Sequence, residues 1–125
     1  MERYEFGVTR HVPNATDATN QVVFIAPFDC ELVRVESRHR VASTSGTMDV
    51  VVAANGIAVA SGTSLLTGTI DLAATADTKI RGTVAGANGI PTGQVIGLLF
   101  GGTLTNLLDL DVTIILRQKR LQADS

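Results

Sequence analysis

The chain lacks tryptophan and has only one tyrosine, four phenylalanines, three prolines and one cysteine in 125 residues. With so few rings the core must be aliphatic. The same scarcity removes the stacking platforms used by sugar binders and single-strand nucleic-acid binders. A lone cysteine, Cys30, excludes an intrachain disulfide and a cysteine-based zinc cluster. Charge is sparse too. Charged residues make up 18% of the chain, below the roughly 25% of an average soluble domain. The net charge of −2 excludes a strongly basic nucleic-acid binder and a highly charged disordered chain. No apolar run reaches the roughly 18 residues of a membrane span. The richest stretch, residues 95–110, is broken by Gly97, Gly101, Gly102, Asn106 and Asp109. Residues 1–20 carry no apolar segment of the roughly 7–15 residues that a secretory signal needs. The expectation is a chain made in a reducing cytoplasm and not bound to membrane. Asn14-Ala15-Thr16 matches a glycosylation sequon, which without a signal reads as chance.

Helical stripes are also missing, because Gly, Thr and Val interrupt every Ala-rich piece. What remains is a series of short Val-, Ile-, Leu- and Thr-rich runs separated by Gly, Asn, Asp, Ser and Pro. Strands are expected at residues 21–25, 32–41, 47–53 and 57–60. One or two short strands should lie within 64–72, followed by 78–84, 94–100 and 109–118. In the second run Val33, Val35, Ser37, His39 and Val41 alternate with Arg34, Glu36, Arg38 and Arg40. That predicts one buried face and one charged face. Asn55-Gly56 predicts a type I′ hairpin turn returning at once into residues 57–60. Residues 85–93 read as a Gly-rich loop, and 94–100 as a strand buried on both faces. The sum is an all-β, single-domain antiparallel β-sandwich, jelly-roll-like, of about eight strands. Residues 1–20 form an arm or edge strand, 21–119 the sandwich and 120–125 a polar tail.

The charge shortage is uneven. Between residues 41 and 108 only Asp49, Asp71, Asp77, Lys79 and Arg81 are charged. A surface of Thr, Ser, Asn and Gly sheds water easily, and charges are depleted at the centres of protein interfaces. Burial in an assembly is therefore expected for this stretch.

No catalytic, cofactor or metal site is expected. His39 lies on an apolar strand face and reads as a core histidine. His11 has no neighbour in sequence that would orient it. Cys30 lies between Asp29 and Glu31, whose charges hinder thiolate formation. Asp109 and Asp111 share a strand face and read as partners for Arg34, Arg38 or Arg40. The Gly-rich pieces lack the spacing of phosphate-binding loops. Gly68-Thr69-Ile70-Asp71 resembles a dUTPase segment, but Leu72-Ala73-Ala74 follows instead of that family's Tyr and Arg-Gly. The Gly-rich C-terminal motif of dUTPases is absent as well.

The stretch Gln21-Val-Val-Phe-Ile-Ala-Pro-Phe-Asp-Cys-Glu-Leu-Val-Arg-Val-Glu36 resembles the opening of small phage virion proteins of the capsid decoration type. There too an apolar strand and Ala-Pro lead through an acidic turn into a second strand. A Ser/Thr/Gly-rich turn (42–47), an Asn-Gly hairpin, Gly62-Thr-Ser-Leu-Leu66 and the final strands at 93–100 and 108–119 continue the likeness. Gly93-Gln94 departs from the Gly-Asp of many such proteins. The resemblance implies a β-sandwich that forms a homotrimer and binds a major capsid protein across capsomers on the virion surface. It implies no enzyme activity, cofactor or nucleic-acid contact. The candidate interface residues are Tyr4 and Phe6, the large anchors of the N-terminal segment, with Arg34, Arg38 and Arg40. The alternative is the receptor- or ligand-binding head of a phage tail fibre, although no heptads precede the domain.

Overall fold

The structure, a computed structural model, describes residues 4–119. Ten antiparallel strands form two packed five-stranded sheets. They are β1 (Glu5–Asn14), β2 (Gln21–Ile25), β3 (Cys30–Val41), β4 (Thr47–Ala53), β5 (Thr63–Ser64), β6 (Ile70–Asp71), β7 (Ile80–Arg81), β8 (Gly89–Ile90), β9 (Val95–Gly101) and β10 (Leu108–Gln118). The first sheet runs β1-β10-β3-β7, with β8 also on β3. The second runs β2-β9-β4-β5, with β6 also on β4. Since β5 and β6 share one edge of β4, and β7 and β8 one edge of β3, each pair is a single strand broken in the middle. Counted that way the chain fills two four-stranded sheets, crossing between them at every step except from β4 to β5/β6, which is the eight-strand jelly roll.

The breaks explain why ten strands stand where about eight were expected. Between β5 and β6 the chain leaves the sheet after β5 and turns at Gly68, whose φ of 83° suits glycine. Residues 65–67 cross to residues 83–85 of the first sheet instead, bonding through Thr67 N–H to the Thr83 carbonyl (2.7 Å) and Ala85 N–H to the Leu65 carbonyl (2.9 Å). This seam closes one side of the sandwich. On the other side Arg10 of β1 reaches across to β2, donating to Gln21 Oε1 (2.8 Å) and the Val22 carbonyl (3.1 Å).

Three local expectations need correction. In β3 the inward residues are Leu32, Val35, Ser37 and His39, not Val33. A bulge opposite Ile115/Leu116 leaves Val33 without a partner and shifts the alternation by one residue. At Asn55-Gly56 a tight turn does form, with Ile57 N–H bonded to the Ala54 carbonyl at 2.9 Å. Only Gly56 has positive φ (85°), so the turn is not type I′. Residues 57–60 are consequently no strand. The chain winds through a 3-10 turn, Val59–Ser61, and pairs with β4 only at Thr63–Ser64. Finally, the expected loop at 85–93 contains β8, which pairs with Cys30 and Glu31.

The core is aliphatic. Val12, Leu32, Val35, Leu110, Ile114 and Leu116 of the first sheet meet Met48, Val50, Ile96 and Leu98 of the second. Four of the five rings gather at one end, where Phe6 packs on Phe24 (5.5 Å), Phe28 (5.7 Å) and Tyr4 (5.6 Å). The expected tail, residues 120–125, lies outside the described residues.

Candidate functional site

The alternation of each strand gives the sandwich two unlike outer faces. On the first sheet, β3 and β10 turn their charged residues outward. Glu36 accepts from Arg81 (2.9 Å), with Lys79 at 3.5 Å and Arg34 at 4.0 Å. Arg81 and Lys79 hold the Glu36 carboxyl below the usual carboxylate range, the Arg81 hydrogen bond contributing most and partial desolvation opposing it. Arg38 meets Asp77 (3.7 Å), Arg40 meets Asp109 (2.6 Å), and Arg117 meets Glu31 (3.3 Å). Thus Asp77, Lys79 and Arg81, three of the five charges in the neutral middle, all serve this face.

The second sheet is the opposite. None of its five strands contains Lys or Arg. Register places Ile25, Val95 and Ala53 in one outward row and Val22, Gly97, Val51 and Ser64 in the next. Gly97 is required there. A Cβ would lie 2.6 Å from Val59 Cγ2, so only glycine lets the 3-10 turn pack over the sheet. Asp49 and Asp71 are the acidic residues of these strands. Asp49 accepts from Ser64 Oγ and the Val50 N–H, and Asp71 from the Ala73 N–H, each at 2.8 Å. Three large aliphatic side chains stay in water: Ile25 at 64% exposure, Ile57 at 49% and Val22 at 44%. Beside Ile57, residues Ala53, Ala54, Ser61, Gly62 and Thr63 line a shallow depression.

The five candidate interface residues do not form one patch. Arg34, Arg38 and Arg40 stand on the charged face, each within 4.0 Å of a carboxylate. Phe6 is half-buried in the aromatic end, and Tyr4 is exposed at 62%. Of the three arginines, only Arg40 takes one of the expected aspartates. Asp111 instead binds His11, whose Nδ1 lies 2.8 Å from Asp111 Oδ1, with Nε2 3.6 Å from Asp109 Oδ1. The expectation that nothing orients His11 is therefore corrected. His11 and Asp111 are a hundred residues apart in sequence and become direct partners through the β1–β10 register.

His39 is buried, with Nε2 2.8 Å from the Ala74 carbonyl. Cys30 is buried near Ile90, and its thiol is pushed above the usual range, mainly by burial and then by Asp29. Among the described residues no group of three or more His, Cys, Asp or Glu could hold a metal ion. Nor is any helix among them long and apolar enough to cross a membrane.

No protein-family model and no curated protein matches the chain. Among solved structures it is similar to a chain of the cyanophage Pam1 capsid asymmetric unit, at 12% identity, TM-score 0.49, covering 94% of this chain and 85% of that one. It is also similar to a chain of the disulfide-linked pili that are Bacillus endospore appendages, at 14% identity, TM-score 0.42, covering 96% and 93%. A third similarity is to infectious bursal disease virus, Gx strain, at 12% identity and TM-score 0.38. There the match covers 94% of this chain but only 32% of the viral one. With every TM-score under 0.5, these likenesses assign no function, and the jelly-roll architecture stands on the strand order itself.

Proposed function

We propose that this chain is a non-enzymatic structural protein of a phage particle, of the capsid decoration type, acting as a homotrimer on a shell of major capsid protein. The observation that carries this reading is the division of the sandwich into an ion-paired face and a face whose own strands carry no Lys or Arg. Permanent subunit contacts are more hydrophobic than transient ones. The second sheet, with Ile25, Ile57 and Val22 in water, is therefore assigned to contact between copies. The first sheet, with Arg34, Arg38 and Arg40, is assigned to the shell. There the arginines can exchange internal carboxylates for those of a partner, which gives salt-sensitive binding. Tyr4 extends that contact from the aromatic end, anchored through Phe6. Cooperative occupancy of many such sites would stabilise the particle by mass action.

Light scattering on the purified protein and cosedimentation with expanded capsids test the reading together. A trimer that binds capsids at low salt and leaves them intact at high salt is expected. A monomer, or a trimer indifferent to capsids, would refute it.

A further inference from the structure

The chain contains two Asn-Gly pairs, Asn55-Gly56 and Asn88-Gly89, and the fold treats them differently. We propose that Asn55 is a site of spontaneous covalent modification, converting to aspartate and isoaspartate in the folded protein while Asn88 is protected. The chemistry needs only water. The Gly56 backbone nitrogen gives up its proton and attacks Asn55 Cγ. The new N–Cγ bond closes a five-membered succinimide, the Cγ–Nδ2 bond breaks, and the nitrogen leaves as ammonia. Water then opens the ring at either carbonyl, giving Asp or its β-linked isomer.

Asn55 and Gly56 lie where little surrounds them. Both are exposed at the tip of the turn after β4. Nothing lies within 4 Å of the place a Gly56 Cβ would take, so no neighbouring group crowds that side of the turn. Asn88 is held at two points. Its Nδ2 donates to the Leu32 carbonyl and its own carbonyl accepts from the Leu32 N–H, both at 3.0 Å. The nitrogen that would attack belongs to Gly89, which is fixed in β8 opposite Glu31. Reaction at Asn88 must wait for β8 to open locally, and such opening scales the rate by its equilibrium constant.

The consequence is positional. A carboxylate at residue 55 sits two residues from Ile57, at a corner of the face whose strands carry no Lys or Arg. Whether it disturbs assembly rests on the function proposed above, but the conversion itself does not.

Peptide mapping of the full chain, aged at mildly alkaline pH, tests the proposal. The peptide spanning residue 55 should gain the mass of an amide-to-acid change at least about tenfold faster than the peptide spanning residue 88. In urea the two should convert at similar rates, because the contrast comes from the fold. Gly56→Ala should slow conversion at 55 alone. Equal rates in the folded protein, or a difference that persists in urea, would overturn the inference. An Asn55→Asp variant separates the two ideas: normal trimers from it would count against the assigned face and leave the chemistry intact.

Discussion

Asp109 concentrates much of what single residues do in this protein. Its φ is 51°, in the left-handed region, inside a regular strand. Asp tolerates that region better than residues without a short polar side chain. The kink aims its carboxylate between Arg40 and His11. Asp109→Ala should therefore cost about 1–2 kcal/mol, combining backbone strain with a lost ion pair. Asp109→Gly should cost less despite losing the same pair, because glycine adopts positive φ freely; urea unfolding of both variants measures the order. Glu36 and Asp29 set the acid response. Asp29 accepts from the Thr92 N–H and then its hydroxyl, both 2.8 Å, and is held below the usual range, as is Glu36. A carboxyl with a lowered folded pKa stabilises the fold above its unfolded value of about 4. That stabilisation fades as pH falls through the folded value. Thermal melts should hold steady from neutral pH to about pH 5 and then drop. Arg81→Ala should shrink the part due to Glu36. His11 illustrates what local reading misses, since its partners belong to the opposite end of the chain.

At the scale of elements, most strands were legible, short ones such as β2 and β7 included, whereas β8 was expected as loop and β1 only as an arm or edge strand. Residues 109–118 alternate cleanly, and β10 buries Leu110, Val112, Ile114 and Leu116 as that pattern predicts. Residues 57–60 are as apolar as a strand, yet their place is set by Gly97 and Val59, which contact across the sheet rather than along the chain. Gly97→Ala forces a methyl against Val59 and the Gln21 carbonyl. Overpacking of this kind should cost about 1–3 kcal/mol and lift the Val59–Ser61 turn, visible as faster amide exchange in residues 59–64. The bulge at Val33 is similar. No residue in β3 announces it, because it arises from the fit of β3 against β10. In the core, Leu98→Ala opens a cavity between the sheets and should cost about 2–5 kcal/mol in the same unfolding assay.

For the whole molecule, the division of charge governs behaviour. A face with Ile25 and Ile57 exposed and no Lys or Arg in its strands is a liability in a monomer and an asset in an assembly. Ile25→Lys combined with Ile57→Lys should yield a folded monomer, read as unchanged circular dichroism with a smaller mass in light scattering. On the function proposed above, Arg34→Ala, Arg38→Ala and Arg40→Ala together should leave the proposed trimer intact and weaken its binding to capsids by about tenfold or more, an effect that added salt mimics.

The sequence alone determined the class of the fold. Alternation at period two, Gly- and Asn-marked turns and the absence of helical stripes left an antiparallel sandwich with an aliphatic core. Those signals are local, because a strand's inward and outward sides are written in consecutive residues. It also showed that charge is missing from the middle of the chain. Only the tertiary structure decided that this becomes one face with no Lys or Arg in its strands. Asp77, Lys79 and Arg81 come from that same middle, yet β7 pairs with β3 and carries them to the charged side. Pairing over long sequence distances is fixed by how two sheets fill one core, and no window of residues contains that information.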